Sequence, residues 1–227
     1  MVLINIFRNF LEDNRRSMEN YANQLQKILK DNLKLKLRII TPRMSITNSL
    51  RFSRYFSYPI IAKKISNEPL SKNIVQFNHI IEDGYAHLLK NLDNNKTVIT
   101  VHDLIPLILW KKNLLKRKPP LLYLYSLSYL KKAKYIFADS LNTKRDIIKY
   151  CNCKPDKIFV VYLGYKKNFK KFSEKKRFFY RKKIFRKFLS RKLILIIGQE
   201  FYKNHNQAIK SIIFLKKKLK KNYLLYI

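Results

Sequence analysis

Glycine is almost missing from this chain, with three residues in 227. Acidic residues are nearly as scarce in relative terms: 14 Asp and Glu stand against 50 Lys and Arg, a formal charge of +36. Cysteine occurs twice, as Cys151 and Cys153. A C-x-C pair is poorly spaced for an intrachain disulfide, and no second pair exists to complete a zinc site. The chain therefore reads as a reduced, cytosolic protein. No apolar run approaches the roughly 20 residues of a bilayer span. The segment MVLINIFRNFLEDNRRS is too short in its apolar part for a secretory signal, and its charges follow that part rather than precede it. Histidine, at four residues, is too sparse for a metal-dependent His-Asp phosphohydrolase, which needs several further ligands.

A basic excess of this size directs attention to nucleic acid or an anionic membrane. Yet Lys, Asn, Ile, Tyr and Phe are all abundant, as an AT-rich coding sequence imposes, and basic residues run the length of the chain. Composition bias is read as their main source, with an anionic partner second.

What is present is a core. Hydrophobic residues make up 47% of the chain, enough for one large domain or one and a fraction. Short apolar runs at 2–7, 35–40, 74–77, 97–101 and 135–138 alternate with segments of helical periodicity, and KPDKIFVVYLG supplies a further strand ending at Gly164. Ser17 reads as the cap of a first helix whose apolar face is Met18, Tyr21, Ala22, Leu25, Ile28 and Leu29. A helical stretch over 49–65 is expected to break at Pro59, and Ser140 to cap a helix over 143–150. Apolar rather than alternating strands in a β-α series predict a parallel sheet covered on both faces. Residues 166–192 form a basic linker and helix, with Phe and Ile anchors on its apolar side. Residues 193–227 read as one β-α-β unit, the incomplete start of a second domain.

In such sheets ligands bind beyond the carboxyl ends of the strands. KTVITVHDLIPL places His102 and Asp103 at one such end, and His79, Gly164 and Gly198 at others. A neutral imidazole there donates or accepts hydrogen bonds near a sugar or phosphate, and a carboxylate orients the ring or holds a hydroxyl. A bare His-Asp pair is more often structural than catalytic, so its weight comes from its place. In GQEFYKNH, Gly198 allows a tight turn and Lys203 lies near a helix N-terminus, where backbone amides favour an anion. A solvated lysine is the plain alternative in so basic a chain.

Four segments in order, VITVHDLIPL, KKAKYIFADSLNTKRDI, PDKIFVVYLGYKKNF and LILIIGQEFYKNHNQAIKSI, resemble bacterial glycosyltransferases of family 4. SMENYANQLQKIL and NHIIEDGYAHLL are similar to members as well. The resemblance implies a GT-B-like α/β fold of two Rossmann-like domains: an acceptor-side domain over 1–165 and a donor-binding domain begun at 193. It implies transfer of a sugar, with retention, from a nucleotide-sugar to a glycan or lipid-linked acceptor. It assigns His102 and Asp103 to the catalytic region, Gly198, Lys203 and Asn204 to the donor, and His79, Asp83 and Tyr85 to the acceptor side of the cleft. Ser140 matches a family serine facing the cleft, although the helix cap explains it better. No cofactor and no metal are expected.

The chain also departs from the family. FRNFLEDNRRS, after the first strand, holds no glycine to cradle a phosphate with backbone amides. Gln199 stands where an arginine is common, and the paired glutamates of the donor side would lie beyond residue 227. The expectation is thus a truncated or split enzyme, impaired unless a second polypeptide completes its donor domain. It would be cytoplasmic, peripheral at the inner face of the plasma membrane. The rival is a non-catalytic basic Rossmann-like module for an anionic membrane or nucleic acid, with nucleic acid the less expected partner.

Overall fold

The computed structural model describes residues 1–31, 35–44, 49–116, 118–164, 170–189, 191–198, 200–219 and 223–226. It divides into two compact units, Met1–Gly164 and Tyr165–Ile227.

The first unit is built on strands β1 (Val2–Phe7), β2 (Leu35–Ile40), β3 (Val75–Ile80), β4 (Thr97–Val101), β5 (Tyr135–Ala138) and β6 (Ile158–Val160). They form one six-stranded sheet in the order β2-β1-β3-β4-β5-β6, with every pairing parallel. The chain runs outward from β1 to β2, then returns to β1's other side for β3. That reversal opens a crevice between the loops that follow β1 and β3, as in flavodoxin-like sheets. The fold is mixed α/β and Rossmann-like.

Both faces of the sheet are covered, which is why its strands are rich in apolar residues on both sides. Helix α1 (Arg16–Lys30) lays Tyr21, Ala22, Leu25 and Leu29 against Ile4, Ile6 and Ile39. Ile28, expected on that face, is 69% exposed. The other face buries Phe7, Tyr58, Ile80, Leu88, Leu89 and Leu130. Ser17 does not cap α1: the helix starts one residue earlier, at Arg16, behind Arg15. Arg15 is fixed instead by a long-range ion pair with Glu82.

Residues 50–66 are helical without a break at Pro59. Short α2 (Leu50–Phe52) passes through a π-turn over Ser53–Ser57 into α3 (Tyr58–Ser66), where Pro59 sits in the first turn and needs no amide partner. The irregularity falls on the π-turn, a feature often found near functional sites. Two more helices, α4 (Ile105–Lys111) and α5 (Leu121–Ser128), follow β4. Ser140 does cap α6 (Leu141–Cys151), its hydroxyl accepting the Thr143 amide at 3.1 Å. Strand β6 stops at Val160, so Gly164 lies four residues past it and not at its end.

The scarcity of glycine has a visible consequence. Left-handed backbone is taken by Asn14, Asn113, Asn152 and Asn204, and by Gly198 alone among the glycines. Asparagine tolerates that region best among side-chain-bearing residues, since its amide bonds locally.

The second unit holds α7 (Glu174–Ile184), β7 (Lys192–Leu195), α8 (His205–Leu219) and β8 (Tyr223–Tyr226). Strands β7 and β8 pair in parallel, making one β-α-β unit. No residue of α7 is buried, and Phe178 and Phe179 are exposed.

Candidate active site

Strand register brings the polar residues together. Val101 of β4 pairs with Ala138 of β5. The residues just past the two strand ends, His102 and Asp139, therefore stand side by side. His102 Nδ1 donates to Asp139 Oδ2 at 2.6 Å, and Nε2 donates to the Ile81 carbonyl oxygen at 3.0 Å. Both side chains are only slightly exposed, at 11% and 14%. The ring edge of one aromatic meets the other where Tyr21 packs on His102, centroids 4.9 Å apart.

Neither partner of His102 has a proton to give. Carboxylate and carbonyl oxygens only accept, so satisfying both requires an N–H on each ring nitrogen. Burial works against the charge, but the hydrogen bond and field of Asp139, the Ile81 carbonyl and the nearby Asp83 outweigh it and raise the pKa of His102. Both ring nitrogens are thus already engaged by protein oxygens, so the ring is less free to bond elsewhere than its position alone suggests.

His87, also bonded through both ring nitrogens, shifts in the opposite direction. Its Nε2 donates to the Arg54 carbonyl at 2.9 Å, while Nδ1 meets the Ser126 hydroxyl at 2.8 Å. A hydroxyl can donate, so a neutral tautomer satisfies both. Burial holds its pKa down at about 4.

The remaining candidates are distributed unevenly. Asp103 is exposed and does not touch the ring of its neighbour; its Oδ1 accepts the Ile105 amide at 3.0 Å and so ties the turn that starts α4. His79 is inside β3 rather than at its end, because the strand runs on to Ile80. It is 6% exposed, bonded to Thr100 Oγ1 at 2.8 Å, and burial with the field of His102 lowers its pKa to about 4. Tyr21 bonds the same threonine hydroxyl at 3.0 Å, which ties α1 to the sheet beneath His102.

Asp83 lies on the 3₁₀ segment after β3, buried, accepting from the Tyr123 hydroxyl at 3.2 Å. Burial, then the like charge of Asp103, raise its pKa to about 6. Tyr85 is not on an open wall: it is 2% exposed, donates to Asp13 and accepts the Phe10 amide at 3.2 Å.

Sequence reasoning missed Asp139, Asn9, Arg15 and Glu82. Phe7 pairs with Ile80, which carries Asn9 and Glu82 to matching places beyond β1 and β3. Glu82 is buried, accepting from both Asn9 and Arg15. The loops after β1 and β3 are thus tied together by side chains around Glu82, whose charge is met by Arg15.

In the second unit Gly198 has φ +104°, a conformation that favours glycine, and a Cβ there would come within 2.9 Å of the Lys203 side chain. Asn204 is left-handed and its carbonyl accepts the Ala208 amide at 3.2 Å, opening α8. Lys203 is exposed at this turn. Gln199 lies outside the described residues. Among the described residues no three His, Cys, Asp or Glu side chains converge as a metal site would require.

The model of Glycosyltransferase Family 4 matches residues 19–168. The chain belongs to glycosyltransferase family 4. No curated protein matches it significantly. The matched segment of this family 4 member carries His102, Asp139, Glu82, Asp83 and Asp103.

Proposed function

We propose that this family 4 member transfers a sugar, with retention, from a nucleotide-sugar to a glycan or lipid-linked acceptor. His102 carries the reading: a ring held at both nitrogens at the carboxyl end of a parallel sheet, beside the switch-point crevice. In this reading Asp83, half-titrated near pH 6, lies on the acceptor side, and Asp103 borders the same cleft. His79 and Tyr85 support it from within the core. Gly198, Lys203 and Asn204 shape the turn that meets the donor diphosphate, with amides at the start of α8 adding to the attraction. No group beyond the two substrates is called on.

A membrane-facing acceptor fits an exposed apolar stripe on residues 50–66. Phe52, Phe56 and Ile60 are 42%, 60% and 68% exposed, four residues apart along one helical face, and the two phenyl rings stack at 5.1 Å. Arg51, Lys63 and Lys64 flank them, all exposed. Such a face suits an anionic membrane surface, and this favours the inner leaflet as the place of work. Among the described residues no helix is long and apolar enough to cross a membrane. The test is incorporation of radiolabel from a panel of nucleotide-sugars into solvent-extracted membrane lipids and glycans. Incorporation above a protein-free control supports the reading; none with any donor counts against it.

A further inference from the structure

We infer that Asp139 is a positioning residue that keeps His102 an imidazolium across the neutral pH range, so that His102 acts as a fixed positive charge and not as a proton shuttle. The sugar-transfer role rests on the function proposed above; the protonation state stands on geometry alone.

The geometry is a closed clamp. Asp139 is held by main chain on either side, by β5 before it and by the Ser140 cap of α6 after it. The Thr143 hydroxyl of α6 also donates to the His102 carbonyl at 3.1 Å, fastening the same two loops a second time. With Nδ1 on a carboxylate and Nε2 on a carbonyl, deprotonating either nitrogen would set a lone pair against an oxygen. No ring nitrogen is left to take a proton from an acceptor hydroxyl.

The ionisable groups around the ring agree in sign. Asp139 and, farther off, Asp83 supply negative field from the loops after β5 and β3. From α1 comes Tyr21, whose phenol burial keeps neutral. From β3 comes His79, which stays uncharged through burial and the field of His102. Asp103, next along the chain, is turned to the Ile105 amide. A ring held in this way, its charge partly balanced by Asp139, acts on a group in the crevice of the first unit through its field, a role that needs no proton movement.

Ring ¹⁵N spectra of the full chain, labelled at histidine, test this between pH 5.5 and 9. At pH 7.5 the His102 nitrogens should both show imidazolium shifts while those of His87 show a neutral ring. In Asp139→Asn the titration midpoint of His102 should fall by about one unit or more, a loss of at least tenfold in proton affinity. Unchanged His87 signals report that the variant is folded. A neutral His102 at pH 7.5 in the unaltered chain overturns the inference, as does an unmoved midpoint in a folded Asp139→Asn. If Asp139→Asn does not fold, the state of His102 in the unaltered chain decides. An imidazolium in a chain that transfers no sugar would overturn the proposed function and leave this inference standing. Where transfer is measured, its alkaline limb should move to lower pH in Asp139→Asn.

Discussion

Replacing His87 with glutamine isolates the energetics of a histidine buried in the neutral form. In the native chain His87 is 2% exposed between the Arg54 carbonyl and the Ser126 hydroxyl, and its pKa is pushed down to about 4. In the unfolded chain the same ring titrates near its ordinary value of about 6.5. Because the native pKa is the lower one, His87 contributes stability that is fully present above about pH 6.5 and is lost as pH falls toward 4. Between pH 7 and pH 5 the unfolded chain takes up this proton and the native chain does not, a loss of about 2 kcal/mol. Glutamine can reach both partners and does not titrate. Urea unfolding of the unaltered chain and His87→Gln, followed by circular dichroism at both pH values, removes every other titrating group by difference. The stability gap between the two should shrink by about 2 kcal/mol on acidification. A gap that stays constant would mean that His87 is not held neutral, and would refute the reasoning that separates it from His102.

Other expectations are local. Ser140→Ala removes the α6 cap and should lower unfolding free energy by about 1 kcal/mol in the same urea assay, because the Thr143 amide loses its side-chain acceptor. Phe52→Ser with Phe56→Ser should weaken sedimentation with anionic liposomes several-fold while leaving thermal stability nearly unchanged, since both rings are largely exposed; equal sedimentation would remove the stripe from the membrane reading.

Much of the first unit was legible because burial on both faces leaves a strong mark. The runs VLINIF and TVITV can hardly be anything but covered strands, and both form where expected. Ser140 was legible for a similar reason, since a hydroxyl before a helical run has one common use. Strand ends were harder. Polar Asn78 and His79 end the apolar look of β3 early, yet a buried network keeps them in the sheet: Asn78 bonds Asn5 at 3.0 Å and Thr97 at 3.2 Å. The site itself depends on which strands are neighbours and in what register, information that local pattern does not contain. His102 and Asp139 are 37 residues apart, and only the pairing of Val101 with Ala138 makes them partners. The sequence offered His102 a carboxylate next door, in Asp103, and the fold gave it another.

The most direct test of the account is sugar transfer measured side by side with the unaltered chain and His102→Ala, under one donor and one membrane acceptor extract. The account predicts low but measurable labelled product with the unaltered chain and a further loss of about a hundredfold or more with His102→Ala, the scale on which a single electrostatic group acts at a reacting centre. Equal transfer by a folded His102→Ala would contradict it.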